Sequence, residues 1–541
     1  PQFSVIATAL GTATADGIVN ELGVPMDGLI KGAAVYQARI LFPSGKMETK
    51  SPLTVQIESD LNGLELLLPV PVGKPADSSL QISGDIRFMP GGEFIESAFF
   101  AENRIAWQLA FNKPEGSWDL DRGVITMGGA AVQAADTRGL HIRGSTSEVR
   151  LQDWLSLSRS GEKKTSAAER IQSIDLTVDN LYLIGQHLKG HRVRVDRSAA
   201  DWLVQLDGED VVGSIFVPYD FNGKRKMVFD MEKLRLPGDE IQTELALELD
   251  PRKLPAIQLT AAEFAFGDRY LGAVEATLEK TEQGLIATKI STSDASFKID
   301  GTGRWLTEDA DPLGSHSFVS ATLTSTDVEQ TMSRLGYTPG IDSKEMSMSF
   351  DLDWSGSPRP DFFEVLDGEV QVRLGNGQLK EIEPGAGRVF GLMSIVALPR
   401  RLSLDFRDVF SKGFGFDEIA GTFIIEDGIT YTCDLSLDGP AADIGIVGAA
   451  DIANRTYEQT AIVSANVGNT LPIVGAVVAG PQVMAALLIF SQIFKKPLQE
   501  VGEVYYAIDG SWDEPSVELT NSAAFIASGE LAECLSGEEL R

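Results

Sequence analysis

Glu369-Val370-Gln371-Val372-Arg373-Leu374 alternates polar and apolar residues without a break, then turns through Gly375-Asn376-Gly377. Alternation at period 2 predicts a strand with one apolar face. After Glu383-Pro384-Gly385-Ala386-Gly387, an apolar segment runs from Arg388 to Leu398 and is stopped by Pro399-Arg400-Arg401. It is too short to cross a bilayer, which needs about 20 apolar residues, and reads as a short helix. Alternation then resumes, with Leu402, Leu404 and Phe406 on one face and Ser403, Asp405 and Arg407 on the other. Sheet, brief apolar helix, sheet is the pattern from which the rest of the chain is read.

Upstream the same grammar recurs. Leu53, Val55 and Ile57 alternate with Thr54, Gln56 and Glu58, and Leu80, Ile82, Ile86 and Phe88 share a parity around Gly84. The prolines between Pro69 and Pro75 keep that connector out of a central strand. Trp107, Leu109 and Phe111 lead into a turn at Asn112-Lys113-Pro114-Glu115-Gly116. Ile174, Leu176 and Val178 repeat the alternation, as do Leu245, Leu247 and Leu249, then Met346, Met348, Phe350, Leu352 and Trp354, and finally Cys433, Leu435 and Leu437. Two short helices interrupt it. One is expected over Arg150–Ser158, begun by Asp153. The other is opened by Thr326-Asp327, runs to Leu335 and is closed by Gly336. The Ser/Glu/Lys-rich patch 158–169 marks a loop or boundary. Three segments follow, 1–160, 161–360 and 361–520, with an acidic tail over 521–541.

The chain has 541 residues, 43% hydrophobic, enough for a large core. Its formal net charge of −32 repels nucleic-acid phosphates and opposes broad docking on anionic headgroups. Two cysteines, Cys433 and Cys534, exclude a disulfide framework. The opening at Pro1 carries no methionine, charged n-region or signal-like run, and reads as the interior of a longer chain.

No catalytic constellation emerges. The four histidines, His141, His187, His191 and His316, are scattered. His187 and His191 are four apart without the glutamate of a helical zinc motif, and Gly185 and Gly190 point to a turn there, so no metal role is assigned. Neither a G-x-S-x-G elbow nor a dinucleotide fingerprint occurs. The segment from Ile473 to Phe494 is almost wholly apolar, but Pro481 argues against one straight helix. The piece after it carries a stripe of Val483, Leu487, Phe490 and Phe494, with Leu488 beside them. A buried plug at the end of a β structure and a membrane-contact helix are both open.

Strands alternating at period 2 have an apolar face that must be covered, and helical sequence is too scarce to cover it. A second sheet, closure of the sheet on itself, or an apolar ligand can do so.

Leu374-Gly375-Asn376-Gly377-Gln378-Leu379, Glu383–Arg388, Ala397–Phe410, Gly439-Pro440-Ala441-Ala442 and Gly510–Pro515 resemble the C-terminal region of the AsmA-like family of bridge-like lipid-transfer proteins of Gram-negative envelopes. The specific resemblance covers about Phe350 to Leu519. It implies a mostly β fold: a long twisted antiparallel sheet curled into an open hydrophobic groove, with a few short helices capping the C-terminal end, near 388–398 and 473–494. It also implies phospholipid transport across the periplasm between inner and outer membranes, with no catalysis and no cofactor. A periplasmic scaffold or chaperone for outer-membrane protein assembly is the alternative. The expected groove lining is Leu245, Leu247, Leu249, Met346, Met348, Phe350, Leu352, Leu402, Leu404, Phe406, Cys433, Leu435 and Leu437. The expected outer-membrane contact is Val483, Leu487, Leu488, Phe490 and Phe494, with an inner-membrane anchor N-terminal to this chain.

Overall fold

A computed structural model describes residues 3–21, 28–43, 52–102, 104–113, 118–129, 132, 136–160, 170–183, 185–238, 250–307, 314–358, 362–380, 414–465 and 503–520. The expected helices near 388–398 and 473–494, the strand of Leu402, Leu404 and Phe406, that of Leu245, Leu247 and Leu249, and the tail lie outside the described residues. The chain is mostly β. It forms two compact units, one of Pro1–Tyr219 with Met227–Leu247, the other of Asp220–Lys226 with Glu248–Arg541.

The first unit begins with β1 (Phe3–Thr14), β2 (Ile30–Pro43), β3 (Leu53–Ser59), β4 (Leu64–Leu66), β5 (Ile82–Phe88), β6 (Phe94–Ala101), β7 (Ile105–Asn112) and β8 (Asp119–Met127). Each pairs antiparallel with the next, except that β4 pairs with the start of β2 and β3 pairs onward with β5. β9 (Gly139–Arg150) departs from the expected antiparallel pattern. It lies parallel both to β8 and to β10 (Ile171–Leu183). Parallel neighbours cannot be joined by a hairpin and need a crossover. The link from β9 to β10 includes the expected helix, α1 (Leu151–Ser160), which starts two residues before Asp153 and holds it in the first turn. β11 (Gln186–Arg197), β12 (Asp201–Asp207), β13 (Val211–Pro218) and β14 (Met227–Leu236) return to antiparallel order. Gly190 lies within β11, not in a turn.

The second unit opens with an antiparallel meander of β15 (Ile257–Phe266), β16 (Arg269–Lys280), β17 (Gly284–Ser293), β18 (Phe297–Thr307) and β19 (Ser315–Ser325). After helix α2 (Val328–Arg334) come β20 (Ile341–Ser343), β21 (Met346–Ser355), β22 (Leu366–Leu374), β23 (Gly377–Leu379), β24 (Phe414–Phe416) and β25 (Glu418–Glu426). The last are β26 (Ile429–Asp438), β27 (Ala442–Asp451), β28 (Thr456–Ala465), β29 (Glu503–Ser511) and β30 (Pro515–Thr520). β19, β21, β22 and β25 to β30 continue the antiparallel sheet. β20, β23 and β24 form a separate three-stranded sheet. The β25–β26 hairpin turns on Asp427-Gly428, both at positive φ (48° and 76°), the combination a two-residue type I′ turn demands.

The sequence places α2 accurately because both of its ends are chemically specified. The Asp327 carboxylate accepts the Gln330 N–H at 3.1 Å, and the Lys344 ammonium 2.8 Å away holds that carboxyl below the usual range. At the other end the Tyr337 N–H reaches the Met332 carbonyl and the Gly336 N–H the Ser333 carbonyl, with Gly336 at φ 80°. This is a Schellman closure, which glycine enters without a steric penalty. Asp327→Ala removes a cap worth about 1 kcal/mol. Amides in α2 are then expected to exchange with solvent about fivefold faster, since 1 kcal/mol changes an opening equilibrium by about that factor. Unchanged exchange at Thr331 and Leu335 would show that packing alone holds the helix.

Candidate functional site

In the first unit, hydrogen-bond register connects one residue from each strand into a row. It runs Ile57, Gly84, Phe99, Trp107, Ile125, Ile142, Ile174, Val195, Val204, Ile215 and Phe229. Glycine apart, every position is apolar, and Phe99 stacks on Trp107 with ring centroids 5.2 Å apart. One residue further along the same strands, on the other face, the row reads Glu58, Ser83, Phe100, Ala106, Thr126, Arg143, Asp175, Arg194, Gln205, Ser214 and Asp230. That face is held by polar contacts. The Arg192 guanidinium donates to both oxygens of Asp175, at 2.8 and 2.7 Å, and keeps its carboxyl below the ordinary range.

The apolar row is unusual in how it is covered. From Ile57 to Phe229 every member is half-buried, and none reaches the burial of a residue packed beneath a second layer. The row crosses ten interstrand steps of about 4.8 Å, so the continuous apolar path measures about 48 Å along the hydrogen-bonding direction.

The second unit carries a comparable row that changes character along its length. Leu259, Ala276, Ile290, Gly301, Ala321 and Phe350 are half-buried, but the next two positions, Val370 and Phe423, are only 2% and 1% exposed. Beyond them Leu435, Ile446, Ala461 and Tyr506 are opposite one another on β26 to β29 and fully buried. These residues share one core with Val328 and Met332 of α2 and with Ile341, Leu379, Phe414 and Phe416 of the three-stranded sheet.

Among the expected lining residues, Met346, Met348, Leu435 and Leu437 therefore sit in this core, while Phe350 and Leu352 are half-buried and packed against it. Cys433 does not continue the parity of Leu435 toward the start of its strand. The register slips between Thr432 and Leu435, so that Thr430 and Thr432 occupy the buried face ahead of the slip. A bulge of this kind inserts one residue and re-aims the side chains before it. Cys433 is half-buried and disulfide-bonded. Strict alternation across Cys433, Leu435 and Leu437 gave no sign of the slip.

His187 and His191 are four positions apart on β11, about 13 Å along an extended strand and too far to share an ion. His187 stacks on Tyr182 and its Nε2 lies 3.0 Å from the Asn180 amide oxygen. His191 is fully buried, its Nδ1 is 2.9 Å from the Lys189 carbonyl, and burial pushes its pKa down. Among the described residues no group of three or more His, Cys, Asp or Glu is placed to hold a metal ion, and no helix is long and apolar enough to cross a membrane.

A chain of alternating strands with a half-buried apolar row finds its match in sequence. The model of the YhdP protein family aligns with residues 1–517. The chain belongs to the YhdP family. The likeness thus extends through the first unit, well beyond the motifs of the Phe350–Leu519 region. A curated relative, the intermembrane phospholipid transporter YhdP of Escherichia coli K12, is 25% identical over 482 residues. The aligned part is 86% of this chain but 37% of that YhdP protein, so the chain spans little more than a third of its relative. No solved structure matches.

Proposed function

We propose that this chain is a section of a carrier that moves phospholipids between the inner and outer membranes of a Gram-negative envelope, working in the periplasm and without catalysis. The observation that carries the reading is the half-buried apolar row from Ile57 to Phe229, backed by a polar face one residue away. Each methylene removed from water contributes about 0.8 kcal/mol, so an acyl chain laid on such a face gains in proportion to its length without any single indispensable contact. Headgroups stay in water at the strand ends. The relative's role as an intermembrane phospholipid transporter supports the same reading.

In this account the sheets form a hydrophobic groove. The apolar segment with Val483, Leu487, Leu488, Phe490 and Phe494 meets the outer membrane, and an anchor N-terminal to this chain holds the inner membrane. Organic extracts of the purified full-length protein are expected to contain phospholipid in near-stoichiometric amount by mass spectrometry. Extracts free of phospholipid, from protein purified without detergent, overturn the proposal.

A further inference from the structure

In the second unit the row from Leu259 to Phe350 is half-buried, while Leu323, Met346 and Met348 further along β19 and β21 already lie in the core. From β22 onward the row too is sealed, and the seal is built from the sheet itself. Three adjacent strands break at one level. β20 and β21 are separated by Lys344-Glu345, β22 and β23 by Gly375-Asn376, and β24 and β25 by Asp417. Hydrogen bonding continues through the breaks. The Gly375 N–H donates to the Glu345 carbonyl at 2.9 Å, the Asp417 N–H to the Asp438 carbonyl at 2.8 Å, and the Ser343 hydroxyl to the carbonyls of Glu345 and Gly375. The strands therefore bend together, and their ends become a flap whose Ile341, Leu379, Phe414 and Phe416 enter the core that buries Val370 and Phe423. α2 adds Val328 and Met332 to the same core.

Burial of 0 to 3% at Val370, Val372, Phe423, Leu435 and Ile446 means that protein atoms already occupy the space above these side chains. Interiors pack at the density of organic crystals, with no room for an acyl chain beside a filled core. On the near side, Gly301 and Ala321 are small residues facing each other, flanked by Ile290 and Phe350, and all four remain half-buried. Small side chains between larger ones form a shallow apolar bed.

We propose that this bed is a blind-ended acyl-chain site: a phospholipid tail lies over Ile290, Ala321 and Phe350 and stops against Val370, and the strands from β22 onward are a plug, not a conduit. The proposal rests on the carrier reading but restricts it, because lipid must enter or leave this unit on the near side of β22.

The test uses the full-length protein loaded with a phospholipid that carries a diazirine in its acyl chain. After irradiation, adducts are mapped by peptide mass spectrometry. Adducts are expected on Ile290, Ala321 or Phe350 and on the row of the first unit, and at least tenfold fewer on Val370, Phe423, Leu435 or Ile446. Adducts equally frequent on both sides of β22 overturn the plug and leave the carrier reading intact. Adducts confined to the first unit overturn the acyl-chain site alone, and absence of adducts from both units overturns the carrier reading with it. Ala321→Trp gives an independent check. Its ring can lie over Gly301 at a half-open position, so thermal unfolding is expected to be unchanged while labelling at Phe350 falls about tenfold. Retained labelling at Phe350 in the folded variant counts against the site.

Discussion

A photo-crosslinking amino acid at Ile57 or Val204 is expected to capture phospholipid in cells, and the same residue at Glu58 or Gln205 is expected to capture at least tenfold less. The pairs differ by one position along a strand, and so by one face of the sheet. Ile57 and Val204 are half-buried members of the apolar row, whereas Glu58 and Gln205 are exposed among charged and hydroxyl groups. Solvent access is therefore greater at the positions that should fail, which separates lipid contact from mere accessibility. Immunoblots after alkaline lysis and lipid staining of the purified adduct read the result. Equal capture at both parities would mean that no face is preferred and that the apolar row is covered by protein in the full-length molecule.

The second large effect is obstruction. Ile142→Asp places a carboxylate in the middle of the row, between Ile125 and Ile174. In the empty protein the site is half-open, so the carboxylate reaches water and folding survives. A passing acyl chain displaces that water, and stripping an unpaired charge of its hydration costs several kcal/mol. With about 3 kcal/mol of it felt at the crossing point, transfer slows by roughly a hundredfold. Ile142→Ala keeps the path apolar and is expected to transfer lipid at close to the normal rate, as is Thr177→Asp on the exposed opposite face. The measurement is lipid transfer, or rescue of a deletion strain, by each variant in the full-length protein at matched abundance. Full rescue by a folded Ile142→Asp protein would place the path elsewhere.

Alternation in Ile174-Leu176-Val178 and Met346-Met348-Phe350 was enough to find β10 and β21, because side-chain parity in a strand is a property of two residues and their spacing. The helix opened by Asp327 and closed by Gly336 was legible for a related reason: caps act within one turn, and their donors and acceptors are encoded a few residues apart. Parallel pairing at β9 was not legible. A strand carries the same alternation whichever way its neighbour runs, and only the length of the connection, here including α1, hints at direction. The slip at Cys433 was hidden too, since a bulge conforms to the partner strands and not to the residues that form it.

The sequence by itself therefore determined a mostly β chain, the parity of its strands, the place of α2 and membership of the YhdP family. All of these rest on local spacing or on motif identity. What only the tertiary structure decided is which part of the apolar surface stays open. Met348 and Phe350 are two residues apart on one face of β21 and read alike in sequence, yet Met348 is 2% exposed and Phe350 is half-buried. The difference comes from α2 and from the flap of β20, β23 and β24, whose Ile341, Leu379, Phe414 and Phe416 share a core with Met348. Burial is thus set by segments distant in sequence, which no local pattern contains.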